Sequence, residues 1–100
     1  MDFKVTQDGD RGRIEVIGDI DEKGAELFKG KLKEIQQLND VTVDLAGVSY
    51  MGSSGIGKLL LFYKNVAIHG GKIAVTNVQP NLYLLFRELK LDTIFQIKAK

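Results

Sequence analysis

Residues 41–58 read Val-Thr-Val-Asp-Leu-Ala-Gly-Val-Ser-Tyr-Met-Gly-Ser-Ser-Gly-Ile-Gly-Lys, and they hold a strand, a connection and a helix entrance in succession. Val41, Val43 and Leu45 alternate with Thr42 and Asp44, the period of a strand with one apolar and one polar face. A helix is expected to begin near Ser53 or Ser54, run to His69 and stop at Gly70-Gly71, because glycine readily takes the left-handed conformation of a helix end.

Working back toward the N-terminus, Ala25, Phe28, Leu32 and Ile35 recur at helical spacing from Glu22 to about Leu38, with Asp21 placed to cap the first turn. Before that helix, Phe3 and Val5 alternate with Lys4 and Thr6, residues 8–12 supply turn chemistry, and Ile14, Val16 and Ile20 resume the period-two pattern, as in a hairpin. Toward the C-terminus, residues 73–78 read as a short buried strand. Pro80 opens a third helix with Leu82, Leu85, Phe86 and Leu89 on one face, and residues 94–97 form a last strand. The order β-β-α-β-α-β-α-β calls for an α/β fold with a mixed sheet, largely parallel after an antiparallel N-terminal hairpin. The polar alternates Glu15, Thr42 and Asp44 place the helices mainly on one face, in two layers.

The 100 residues carry 14 Lys+Arg against 13 Asp+Glu, a formal net charge of +1. That balance leaves no long-range field to hold a polyanion and the lysines are scattered, so neither direct nucleic-acid contact nor membrane insertion is expected. No cysteine is present and His69 is the single histidine, which excludes a disulfide framework, thiolate chemistry and a His-rich metal cage. Neither metal nor cofactor is expected. An apolar run such as Leu59–Tyr63 is far shorter than the roughly 20 residues that span a bilayer. The start Met1-Asp2-Phe3-Lys4 lacks the apolar stretch of a signal peptide, so a cytoplasmic protein is expected. With no repeat or linker in the sequence, residues 1–100 read as one domain.

The helix entrance carries the chemistry. Ser53 and Ser54 fall where a hydroxyl accepts from the unpaired amides of a first helical turn, and Gly52, Gly55 and Gly57 leave the backbone open to approach. Capping accounts for one serine, not for two among three glycines. On the same helix Leu61 and Phe62 lie off the core face set by Ile56, Leu59, Leu60, Tyr63 and Ala67, so they either meet a partner or pack beneath the third helix. Tyr83 and Leu84 pose the same question on the third helix, where core packing is the simpler answer.

In these residues the chain resembles the STAS domain family, and within it the bacterial anti-sigma factor antagonists. Gly18-Asp19-Ile20-Asp21 looks like the family's Gly-Glu-Leu-Asp element. Val43-Asp44-Leu45 through Tyr50-Met51-Gly52-Ser53-Ser54-Gly55-Ile56-Gly57 resembles its signature, and Val78-Gln79-Pro80 with residues 85–86 and 91–95 is similar to its last helix and strand. The resemblance implies a partner-switching protein, a substrate rather than an enzyme. Unphosphorylated, it binds an anti-sigma factor that is also a serine kinase and so frees a sigma factor for transcription; serine phosphorylation releases it, and a PP2C-type phosphatase resets it. Carried over residue by residue, Ser53 matches the phosphoacceptor, Ser54 the adjacent Ser/Thr and Asp21 an acidic residue near the same surface. The implied contact surface comprises Asp21, Gly52, Ser53, Ser54, Gly55, Ile56, Leu61 and Phe62. The signature carries aspartate where this chain has Gly52.

Two other readings use the same residues. Gly52 to Lys58 fits G-x-x-x-x-G-K, the start of a phosphate-binding loop, yet Leu59 stands where Ser/Thr holds magnesium. A STAS module that scaffolds without phosphorylation, beside a lipid-transport ATPase or in a stress-sensing assembly, is the alternative that Gly52 favours. His69 near a helix C-terminus is most simply a dipole partner or a solvated side chain.

Overall fold

The structure, a computed structural model, describes residues 1–35 and 39–100. In chain order the elements are β1 (Asp2–Asp8), β2 (Arg11–Ile17), α1 (Glu22–Leu32), β3 (Asp40–Gly47), α2 (Ser53–Ile68), β4 (Lys72–Val78), α3 (Pro80–Glu88), a 3₁₀ turn (Leu91–Thr93) and β5 (Gln96–Ala99). The five strands lie side by side in that same order, with β1 and β2 antiparallel and every later pair parallel. Gly9, at a positive φ, lets residues 9–10 turn the hairpin. Right-handed crossovers that always step in one direction leave their helices on one side of the sheet. The burial pattern agrees: Ile14, Val16, Val41, Val43, Leu45, Ile73 and Val75 are buried against the helices, whereas Arg13, Glu15, Thr42 and Thr76 on the other face are partly exposed.

Asp44 departs from that alternation. On the uncovered face its carboxylate is buried, with the residue only 8% exposed. It accepts from the Arg13 guanidinium on β2, from Asn77 Nδ2 on β4 at 3.1 Å and from the Ala46 amide at 2.9 Å. A buried charge is tolerated when paired and hydrogen-bonded on this scale, and here the bonds tie three strands together. Asn77 reaches it from a left-handed conformation, φ 55°, where the β4–β5 register shifts; asparagine is among the few side chains that accept this region readily.

Several boundaries and faces differ from the sequence reading. α1 ends at Leu32, not near Leu38, because the chain tightens into i→i+3 bonds, Glu34 N–H to Lys31 O at 3.0 Å and Ile35 N–H to Leu32 O at 3.1 Å. Ile35 is buried all the same, so the apolar spacing survives the end of the helix; the expected residues 36–38 lie outside the described residues. α2 buries Gly55, Ile56, Leu59, Phe62 and Val66, a face rotated from the expected one, since α2 packs against α1 on its flank. Leu60 and Tyr63 are therefore half-buried and Ala67 is exposed. Phe62 turns toward Leu32 and Ile35 at the end of α1 rather than beneath α3, which makes it a core residue. On α3, Leu82 and Phe86 are buried and Leu85 half-buried, but Leu89 caps the end and is 49% exposed. Tyr83 packs against the core, whereas Leu84 is exposed. The last strand starts at Gln96, because the 3₁₀ turn takes up the chain as far as Ile94.

The end of α2 forms as read. Gly70, at φ 76°, lets the Gly71 amide reach Val66 O at 2.9 Å and the Gly70 amide reach Ala67 O at 3.0 Å, the paired bonds of a Schellman stop. Replacing Asp44 by alanine removes the acceptor that Arg13, Asn77 and the Ala46 amide share, and a loss of about 1–3 kcal/mol is expected in urea-unfolding measurements.

Candidate functional site

Beyond the ends of β2 and β3, the two connections continue as a parallel pair. Gly18 N–H donates to Gly47 O, Ile20 N–H to Tyr50 O and Gly52 N–H to Ile20 O, each at 2.9 Å, around a bridge between Ile20 and Met51. Ile20 and Met51 turn their side chains into the core, and the chain on either side emerges at the carboxyl ends of the strands, where open α/β sheets present their binding surfaces. This pairing brings the entrance of α1 beside the entrance of α2. Asp21 caps α1, its Oδ1 accepting from the Gly24 amide at 2.8 Å. The third connection is tied in as well: Ser49 Oγ donates to Asp19 Oδ1, and Asn81 Nδ2 at the start of α3 donates to Ser49 O, both at 2.8 Å.

The serines do not cap α2. Gly52 holds the N-cap position, its carbonyl accepting from Ile56 N–H at 3.1 Å, and no side chain bonds the first turn. Ser53 and Ser54 are the first two helical residues, and both side chains are exposed. The amides of residues 53–55 precede the first intrahelical bond, and no acidic residue stands in that turn, so the positive end of the helix dipole is uncompensated by its own sequence.

The glycines serve different purposes. A Cβ at Gly55 would come within 2.6 Å of Ile20 Cγ2 and 3.0 Å of Met51 Cγ, so only glycine lets α2 press onto the paired connections. A Cβ at Gly52 would stand 3.1 Å from Tyr50 Oη, whose exposed ring lies across the helix entrance. Around Gly57 a Cβ meets nothing within 4 Å; the residue lines a shallow cleft with Ser54, Lys58 and Leu61 on α2 and Glu22 and Glu26 on α1. Lys58 Nζ reaches Glu26 Oε1 across that cleft at 3.2 Å.

Of the residues expected to form a contact surface, the structure brings Asp21, Gly52, Ser53 and Ser54 together and leaves Leu61 exposed farther along α2. Gly55, Ile56 and Phe62 are buried, which corrects the expectation that they belong to that surface: they set the seat of the helix instead. Ser49 and Asn81 join the site, as do Asp19 and Tyr50 of the two quoted motifs, through bonds that run between residues about 30 apart in the chain. The phosphate-loop reading fails on geometry, since residues 53–58 are already helical and form no cradle, and Lys58 is engaged with Glu26. His69 Nδ1 lies 2.8 Å from Asn65 O at the exposed end of α2, a local helix-end contact.

The STAS domain family model matches residues 3–100. An anti-sigma-B factor antagonist from Bacillus subtilis strain 168 is 32% identical over 101 residues, covering 100% of this chain and 93% of that protein. An anti-sigma factor antagonist from Mycobacterium paratuberculosis superimposes with a TM-score of 0.85 at 20% identity, over 99% of this chain and 86% of its own. The Bacillus cell fate determinant SpoIIAA in its phosphorylated form gives 0.76 at 18% identity, over 99% and 92%. At such identities the two structures speak for the fold.

Two variants probe the helix entrance by urea unfolding. Gly52→Asp moves the exposed Tyr50 ring aside by a few tenths of an ångström, supplies the missing cap and places an anion at the dipole, for an expected gain of roughly 0.5 kcal/mol, whereas Gly55→Ala forces Ile20 and Met51 aside and is expected to cost about 1–3 kcal/mol.

Proposed function

The chain belongs to the STAS domain family, among the anti-sigma factor antagonists, and we propose that it is a phosphorylation-switched one, with Ser53 as the acceptor. In this reading the unphosphorylated protein binds an anti-sigma factor that is also a serine kinase. That kinase transfers the γ-phosphoryl group of ATP to Ser53 Oγ and thereby releases itself, and a PP2C-type phosphatase resets the serine. The chain is a substrate in this cycle. The observation that carries the reading is the exposed Ser53 hydroxyl at the first position of a helix with no side-chain cap.

Phosphoserine adds about −1.5 to −2 charges, and a helix N-terminus favours an anion by roughly 0.3 to 2 kcal/mol, so the modified domain keeps its fold. The effect falls on the partner. Asp21, Gly52, Ser53, Ser54 and Leu61, with Tyr50 beside them, supply the contact face, and a new charge at its centre meets desolvated or like-charged groups of the anti-sigma factor. A penalty of about 3 kcal/mol weakens binding on the order of a hundredfold. Binding is switched by charge while the backbone stays where it is.

The test uses wild type, Ser53→Ala and Ser53→Asp as baits in native extract, with intact-mass analysis of the recovered bait. Wild type and Ser53→Ala are expected to retain an ATP-binding anti-sigma factor that Ser53→Asp loses about a hundredfold, and a phosphate increment is expected to map to Ser53. Gly52, with no carboxylate beside the acceptor, favours a second reading, a STAS module that scaffolds in a lipid-transport or stress-sensing complex. That reading takes over if all three baits hold the same complex and no phosphate is found.

A further inference from the structure

Farther along the seam between α1 and α2, away from the serines, a groove of about 270 Å³ opens to solvent. Its floor is Leu32, Ile35 and Phe62, all buried, and its wall is Leu61, 59% exposed. Lys29, Lys33 and Lys58 stand around it, and no carboxylate lines it among the described residues. Glu26 engages Lys58, but Lys29 and Lys33 have no ion-pair partner among the described residues. Lys29 in the last turn of α1 and Lys33 at its C-cap are four residues apart, so they share one face of the helix end, where the dipole favours cations.

An exposed Leu61 beside a buried apolar floor, with Lys29 and Lys33 unpaired at the rim among the described residues, is complementary to an aliphatic chain that ends in an anion. The volume is just below the roughly 300 to 1,000 Å³ of drug-sized sites, enough for a short aliphatic chain and too small for a docked helix. We propose that the α1–α2 groove binds a medium-chain aliphatic carboxylate, its chain on Leu32, Ile35, Leu61 and Phe62 and its carboxylate between Lys29 and Lys33. The carboxylate makes charge-assisted bonds to the two ammonium groups, and the chain covers the exposed Leu61 side chain. The site is separate from Ser53 and does not depend on the phosphorylation reading. It shares Leu61 and Lys58 with the cleft that leads to Ser54, so its occupant lies along one flank of the contact face.

Sodium octanoate, octanol and octyltrimethylammonium serve as the probes, titrated into isotope-labelled full-length protein and followed by amide chemical shifts. Octanoate is expected to give saturable shifts confined to the groove, with an affinity at least about tenfold above that of octanol, and octyltrimethylammonium is expected to give none. Lys29→Gln/Lys33→Gln is expected to bring octanoate down to the level of octanol with the urea midpoint and circular dichroism unchanged. Equal affinity for octanoate and octanol overturns the proposal, as do shifts scattered over the sheet face or the lack of a saturable response at tens of millimolar octanoate.

Discussion

Two backbone hydrogen bonds at Ile20, one donated to Tyr50 O and one accepted from Gly52 N–H, hold the rest of the site in place. They extend the pairing of β2 and β3 past the sheet and set the starts of α1 and α2 side by side. The fit depends on Gly55, because any side chain there meets Ile20 before the helix can settle. A fully buried Ile20 then carries the polar surface around Asp21 and Ser53 on an apolar foundation, which is how a surface formed by connections stays rigid enough to be recognised. The hydrogen bonds among Asp19, Ser49 and Asn81 extend the same arrangement to the third helix.

The architecture was legible in residues 41–58 and their neighbours because each element carries its own signal. Val41, Val43 and Leu45 alternate, Gly70-Gly71 stops α2, and Pro80 opens α3, all local effects that the tertiary structure had no reason to override. The readings that shifted depended on distant parts of the chain. Phe62 was ambiguous by helical spacing alone, since its burial depends on where the end of α1 lies. Ser53 and Ser54 were recognisable as a helix start, yet which residue caps it is a matter of one position, and the N-cap fell to Gly52. Tyr50 was legible only as a signature position and Asn81 gave no signal, because their roles come from contacts made in space.

The two faces of the sheet divide the work of stability. The helix side is a continuous hydrocarbon core, in which burial is the driving term. The uncovered side relies on directional chemistry instead: Asp44 gathers donors from three strands where no layer of side chains is available to exclude water. Bonded to side chains of β2 and β4, the carboxylate fixes the relation of β2, β3 and β4 without adding apolar surface. It also leaves the whole binding apparatus to the other features of the domain, the strand ends and the helical layer.

The order of the strands in the sheet is the order in which the chain is made. Each strand after the first finds its partner already synthesised, one strand earlier, so no strand has to wait for a distant segment before it can pair. Loop closures stay short, and the entropy lost in bringing partners together is never large at any one step. On a ribosome, the sheet can thus lengthen at one edge as the polypeptide emerges, and the serine-bearing helix entrance is framed by β2 and β3 before the last third of the chain exists.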